Sequence, residues 1–393
     1  MSHILLDVTR LLSRLSDGLR PTGVDRVGLA YVERYGAQAN AVLSERGFSV
    51  VLTDRDSQQV FEMLLSSAHN RRAIQKLVAR SVMNQLRFKN FARSILLHTS
   101  HNGMEFQRYY HAMARRNARS VFMVHDLIPL THAEYCRPGV DDAHRLRIHT
   151  ALQHANGLIA NSQATLDSLA SEADLAGFPL PPTVVAPLAS GVAARPHGPS
   201  PLNHPYFVML GTIEPRKNHD YLLDAFDHAW ANGSKARLCI AGRIGWKCDA
   251  LLARIRHHPE LNRRLFMFND LSDTSLEHAY AHASALVFPS FVEGFGLPLV
   301  EAMQRGLPAM GSDIPVFREI GGEFMAYFDL QSPQSLAALV QTFERSGRFP
   351  AACDVSDWQW IGWREASAQL AERTARHVLE APQVPARQHA HSP

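Results

Sequence analysis

The sequence holds 393 residues, 46% of them apolar and 20% charged, with 40 Lys and Arg against 37 Asp and Glu. At roughly 150 residues per domain this is two or three domains, each long enough to bury a core. The balance excludes disordered, collagen-like and coiled-coil classes, and no run nears the roughly 20 apolar residues of a membrane span. The first residues lack the basic start and apolar stretch of a signal peptide. Cys136, Cys239, Cys248 and Cys353 stand far apart with no C-x-x-C pair, so a cytoplasmic chain without disulfides or zinc ribbons is expected.

From the N-terminus, short β-rich runs at 4–8, 48–53, 95–98, 121–125, 157–160 and 183–186 alternate with helical stretches. That alternation builds a parallel sheet covered by helices. Between residues 71 and 119 stand eleven Lys or Arg and a single acid, Glu105, a net +10 that leaves −7 for the rest. Ile74, Leu77, Val78, Val82, Leu86 and Phe91 recur there near helical spacing. They fit either an amphipathic helix on an anionic membrane surface or a helix packed on its own domain. Residues 187–205 are rich in Pro, Gly, Ala and Ser and hold a linker at 191–205. A second alternation comes next, with strands at 206–211, 237–241, 265–268, 285–289, 308–312 and 324–328. The prediction is two doubly wound α/β domains, 1–190 and 206–356. A helix at 357–380 with Trp358, Trp360 and Trp363 crosses back to the first domain, where the three rings are buried together, and a Pro-rich tail at 381–393 is disordered.

In such sheets ligands sit where strands end and helices begin. Arg216 and Lys217 follow the strand at 206–211 and precede a helix capped by Asn218. Two cations there suit a diphosphate, Arg binding two oxygens and Lys acting as a point charge; a solvated basic turn is the alternative. A second loop, P-S-F-V-E-G-F-G-L-P-L-V-E at 289–301, follows a buried strand. Gly294 and Gly296 leave backbone N–H groups open to a ligand, and the helix that starts at Pro298 adds partial positive charge suited to phosphate. Glu293 and Glu301 flank this anion site, and sugar or ribose hydroxyls are their natural partners; a first-turn dipole role is the plain alternative for Glu301. The loop from Gly242 to Trp246 either lines the ligand pocket or simply packs. Asp54-Arg55-Asp56 spells D-x-D but lies in the other half, and no H-E-x-x-H occurs. No metal and no separate cofactor are therefore predicted. Asn161-Ser162 follows a strand, and Ser162 reads as a helix cap.

G-T-I-E-P-R-K-N at 211–218, followed by P-S-x-x-E-G-F-G-L-P-L-V-E with Glu293 and Glu301 in Glu-x7-Glu spacing, resembles the retaining nucleotide-sugar glycosyltransferases of family 4. T-G-V-D-R-V at 22–27 is similar to that family's Gly loop between the first strand and helix, and V-H-D-L-I-P-L at 124–130 to its His–Asp segment. The resemblance implies the GT-B fold, two doubly wound domains facing across a cleft. It also implies roles for individual residues. Arg216 and Lys217 hold the donor diphosphate, and Glu301 holds the ribose hydroxyls. Glu293 lies by the transferred sugar, with the Phe295, Gly296 and Leu297 backbone beside sugar and phosphates. His125 is expected at the anomeric centre, and Gly23 over the diphosphate. One departure stands out: many relatives carry Arg directly after the glycine that matches Gly211, where this chain has Thr212.

The implied activity is that of a retaining, metal-independent hexosyltransferase. The E-P-R-K-N form resembles bacterial enzymes of lipopolysaccharide and exopolysaccharide assembly, many of them mannosyltransferases. GDP-mannose is thus the expected donor and a growing, lipid-linked glycan the expected acceptor, met at the inner face of the cytoplasmic membrane through residues 71–119. Nucleic acid is not an expected partner, because the basic stretch interleaves few aromatics. A sugar-nucleotide epimerase or phosphorylase of the same fold, and a non-catalytic polyanion-binding protein, stand as alternatives.

Overall fold

The computed structural model describes residues 3–67, 70–83, 90–189, 202, 205–269, 271–374 and 378. These fall into two compact units. Unit one comprises Met1–Leu127, Asp141–Pro187 and Trp363–Pro393, and unit two comprises Ile128–Val140 and Leu188–Gly362. Most of the linker read at 191–205 and the whole of the tail at 381–393 lie outside the described residues.

Unit one is built on seven strands: β1 (Ile4–Asp7), β2 (Ala39–Glu45), β3 (Phe48–Val51), β4 (Ser94–His98), β5 (Ala118–Val124), β6 (Gly157–Ala160) and β7 (Thr183–Val185). They lie in the order β3-β2-β1-β4-β5-β6-β7. Neighbours pair in parallel except β2 with β3. β4 and β6 are buried throughout, as apolar strands covered on both faces must be.

No strand is predicted at 39–45, yet β2 lies there. Ala and Asn, both poor strand formers, open it, and tertiary bonds hold it instead. The Asn40 side-chain amide donates to the Leu52 carbonyl at 3.0 Å and to Asp54 at 2.9 Å, and the Ala41 N–H donates to Ser57 Oγ at 2.9 Å. The D-x-D acids are thereby engaged: Asp54 with Asn40, and Asp56 with Arg80.

The basic helix Arg71–Met83 buries Ile74, Leu77 and Ser81, and leaves Val82 and Met83 exposed. Ile74 and Leu77 of its apolar spacing are thus covered by packing within the unit. Leu86, Arg87 and Lys89 of the same window lie outside the described residues.

Unit two carries β8 (Tyr206–Leu210), β9 (Leu238–Ala241), β10 (Leu265–Phe268), β11 (Ala283–Phe288), β12 (Ala309–Ser312) and β13 (Ala326–Phe328). All pair in parallel in the order β10-β9-β8-β11-β12-β13. Phe207, Met209, Leu222, Phe226, Ile240, Val287 and Met310 lie in its core. The strand order reverses between β8 and β11, the switch point at which doubly wound sheets bind ligands.

The three tryptophans do not form one cluster. Trp358 and Trp360 belong to unit two, stacked with centroids 5.5 Å apart, their indoles donating to the Ile320 and Leu188 carbonyls. Trp363 opens the helix Trp363–Thr374 in unit one and meets Tyr31 edge-on at 6.0 Å.

The loops after β8 and β9 run side by side. The Ile213 N–H donates to the Arg243 carbonyl at 2.8 Å, and the Gly245 N–H donates to the Ile213 carbonyl at 3.0 Å. A Cβ on Gly242 would lie 1.6 Å from the Gly211 carbonyl oxygen, so only glycine fits. Gly242→Ala is expected to destabilise the protein by about 3 kcal/mol or more in chemical denaturation. Gly362→Ala, whose Cβ would meet nothing within 4 Å, is expected to change stability by no more than about 0.5 kcal/mol.

Candidate functional site

The turn after β8 is a single 3-10 turn, Pro215–Lys217, followed by Asn218 in the left-handed conformation and the helix His219–Ala231. The loop after β11 reaches the same place. Its Phe291 N–H donates to the Arg216 carbonyl at 2.9 Å. Ser290 is fixed from behind, where Ser312 Oγ donates to its carbonyl at 2.6 Å.

The charges meet between these two segments. Arg216 places Nε 2.6 Å from Glu214 and Nη1 2.6 Å from Glu293, while Lys217 Nζ lies 2.5 Å from the other Glu293 oxygen. Ser290 Oγ donates to that same oxygen at 2.8 Å. Beneath the ammonium lies the Phe288 ring, 4.4 Å from Nζ to centroid, a cation–π contact that a desolvated Lys favours. Burial works against every charge here. It lowers the Lys217 pKa against the pull of Glu293, and raises that of Glu214 against Arg216 and Lys217. For Glu293 the two cations outweigh burial and hold the carboxyl at about 2.

Gly296, with φ 102°, turns the loop into the helix Leu297–Met303, with Pro298 in its first turn. Phe295 is buried, and its ring lies 6.1 Å from that of Trp360. Glu301 is buried with Oε2 accepting from the Tyr280 hydroxyl at 2.7 Å. Arg305 donates to the Glu301 carbonyl and pairs with Glu277 at 2.6 Å. Trp246 packs: its indole donates to the Tyr135 carbonyl at 2.9 Å, and Tyr135 in turn stacks on Phe291 at 5.1 Å.

In unit one, His125 follows β5 and is buried. Its Nε2–H donates to the Thr99 carbonyl at 2.8 Å, which places the lone pair on Nδ1. Its own N–H donates to His101 Nε2 at 3.0 Å, and Asn161 Nδ2 donates to its carbonyl at 2.9 Å. The His101 ring lies 5.4 Å from His125 and 4.8 Å from His144. Burial lowers the pKa of all three, and their mutual proximity lowers that of His101 further. They are neutral at pH 7. Ser162 caps the helix Gln163–Ala176 through the Thr165 N–H at 3.0 Å.

Gly23 departs from its expected place. The helix Thr9–Ser16 intervenes after β1, and Gly23 is the first residue of the next helix, Gly23–Tyr35. A capping box between Thr22 and Asp25 holds that start, and Asp25 is ion-paired to Arg10 at 2.7 Å and Arg14 at 2.8 Å.

Of the residues singled out in the sequence, Arg216, Lys217 and Glu293 are thus in direct contact. Glu301 and the Phe295–Leu297 backbone continue the same loop, and His125 and Gly23 belong to the other unit. Glu214 stands inside the E-P-R-K-N motif but draws no role from sequence alone. Phe288, Tyr280, His101 and His144 carry no local signal, because their contacts cross between segments distant in the chain; Ser290 lies in the P-S-x-x-E motif, three residues before the Glu293 it bonds.

Residues 193–354 match the family "Glycosyl transferases group 1". The serotype-specific mannosyltransferase WbdA of Escherichia coli is 33% identical over 298 residues, 69% of this chain and 35% of that protein. O-antigen chain mannosyltransferase B of Escherichia coli is 34% identical over 119 residues, 30% of this chain and 31% of that protein. The chain thus spans about a third of the length of these relatives. Among solved structures, Anabaena HepE in complex with UDP and glucose superposes with a TM-score of 0.67 at 16% identity, over 96% of this chain and all of that one. Sucrose-phosphate synthase of Thermosynechococcus elongatus gives 0.63 at 15% identity, over 97% of this chain and all of that one. The fold is GT-B.

Because the Glu293 carboxyl lies below the usual 4.5 at about 2, its ionisation stabilises the fold fully above pH 4.5, and this contribution is lost as pH falls toward 2. Glu293→Gln leaves Lys217 buried with less compensation and is expected to cost about 3 kcal/mol at pH 7. Denaturation of both proteins at pH 7 and pH 3 checks this: the difference should narrow at the lower pH.

Proposed function

We propose that this chain, whose residues 193–354 belong to the glycosyl transferases group 1 family on a GT-B fold, moves a sugar from a nucleoside diphosphate to a glycan with retention of anomeric configuration. The observation that carries this reading is the Arg216–Lys217 pair, held at the switch point of unit two by Glu293. Two fixed cations in a water-poor place can stabilise the charge that develops on a departing diphosphate. With the leaving group so stabilised, the acceptor hydroxyl attacks from the face the diphosphate leaves, which retains configuration without an enzyme nucleophile. Glu301, oriented by Tyr280, is assigned to the ribose hydroxyls, and the Phe295, Gly296 and Leu297 backbone to sugar and phosphate. Glu293 contacts the sugar from its place on the cations.

His125 is assigned to the transferred sugar. Burial keeps it neutral, and with Nε2–H engaged by Thr99 the Nδ1 lone pair is the atom that would accept a hydroxyl proton. GDP-mannose as donor is supported by relatives named mannosyltransferases, and a lipid-linked glycan as acceptor by those named for O-antigen. The same relatives favour transfer over epimerisation or phosphorolysis. Among the described residues no helix is long and apolar enough to cross a membrane; contact with a membrane would come through the acceptor's lipid.

A thermal-shift panel of GDP, UDP, ADP and their sugars tests the donor assignment. One base should raise the melting temperature of the wild type by mass action, and Lys217→Ala and Glu301→Ala should each lose that shift. A flat response across the panel would remove the donor reading. His125→Ala should lower kcat by about 10²–10⁴-fold and leave the Kd of the nucleotide unchanged; a changed Kd with unchanged kcat would contradict the role given to His125.

A further inference from the structure

Glu214 is 4% exposed and sits 2.6 Å from Arg216 Nε, whereas Glu293 meets Nη1 of the same guanidinium. With Glu214 and Glu293 both ionised, the two carboxylates cancel Arg216 and Lys217, and the cluster has no net charge. A sugar nucleotide brings two negative charges in its diphosphate. Set against a neutral, buried cluster, that pair would leave uncompensated charge in a medium where charge is costly.

Neutralising one carboxylate would halve that excess, and the two carboxylates differ in their contacts. Glu293 accepts from Arg216, Lys217 and Ser290, each of which favours its ionised form. Glu214 pairs with Arg216 Nε at 2.6 Å, while Lys217 acts on it through space. Its pKa is already raised by burial, against Arg216 and Lys217 and with the help of Glu293. His219, next along the chain and pushed to about 3 by burial and Lys217, brings no further positive charge. The loop after β9, paired to this turn at Ile213, carries Arg243 and Lys247, and Lys247 donates to the Glu134 carbonyl.

We propose that Glu214 is the counter-charge of the donor site, and that the diphosphate binds together with a proton taken from solvent onto the Glu214 carboxyl. This rests on the donor reading above. The same proton returns to solvent when the nucleoside diphosphate leaves, so Glu214 weakens product retention as well as donor affinity. Because the bound state holds one more proton than the free state, affinity falls as pH rises.

Calorimetric titration of GDP-mannose and UDP-glucose, whose diphosphates do not titrate between pH 5 and 8, tests this in paired buffers of different ionisation enthalpy. Whichever probe binds the wild type should draw up to about one proton from the buffer and bind progressively more weakly from pH 5 to 8. Glu214→Gln keeps an acceptor for Arg216 Nε. It should draw no proton, show a flat profile and bind roughly tenfold tighter at pH 8, the effect of one unit of charge at short range. Wild-type binding without proton uptake overturns the proposal by itself, even should the variant not fold. So does a Glu214→Gln protein that binds more weakly with the wild-type pH slope, the mark of a residue that only positions Arg216; both results leave the donor reading in place. Failure of both probes to bind the folded wild type overturns the donor reading and the proposal together.

Discussion

Two cations kept charged where little water reaches them are the constraint on which unit two's site depends. The Lys217 side chain is 7% exposed, a burial that by itself favours loss of its proton. Glu293 prevents this, and the same carboxylate grips Arg216. The loop after β11 is consequently tied to the turn after β8 by charge as well as by the Phe291–Arg216 backbone bond. Because β8 and β11 are neighbours in the sheet, the tie is short. It also fixes the Gly296 turn, the helix Leu297–Met303 and the position of Glu301 against Tyr280.

Unit one holds buried neutral groups as well as ion pairs. Past the ends of β4 and β5, burial keeps His101 and His125 neutral, and the neighbouring imidazoles add to this at His101. Each is held by carbonyl or N–H contacts, His125 through Thr99, His101 and Asn161. Asp25, at the start of the helix Gly23–Tyr35, is paired with Arg10 and Arg14, as Asp56 is with Arg80. Neutral imidazoles suit contact with sugar hydroxyls, and paired cations suit phosphate.

Much of this was legible in the sequence because parallel strands buried on both faces are apolar along their length, as Tyr206–Leu210 is. Residues just past such strands drew attention by charge and glycine content, and Arg216, Lys217 and Glu293 proved to touch. What escaped was set by contacts remote in sequence. β2 depends on Asn40 reaching Leu52 and Asp54, which no local propensity records. T-G-V-D-R-V reads as the loop between the first strand and helix, but the helix Thr9–Ser16 lies between β1 and Gly23. The helix Arg71–Met83 was ambiguous because periodicity reports an apolar face without naming what covers it; Ile74 and Leu77 are covered within the unit. Glu214 was in plain view and lacked meaning until its distance to Arg216 was known.

A crystal structure with a sugar nucleotide bound tests the central claim most directly. The account places diphosphate oxygens within hydrogen-bond distance, about 2.7–3.2 Å, of both Lys217 Nζ and the Arg216 guanidinium, with the ribose against Glu301. A nucleotide seated elsewhere, with the Glu214–Arg216–Glu293–Lys217 cluster untouched by phosphate, would contradict it.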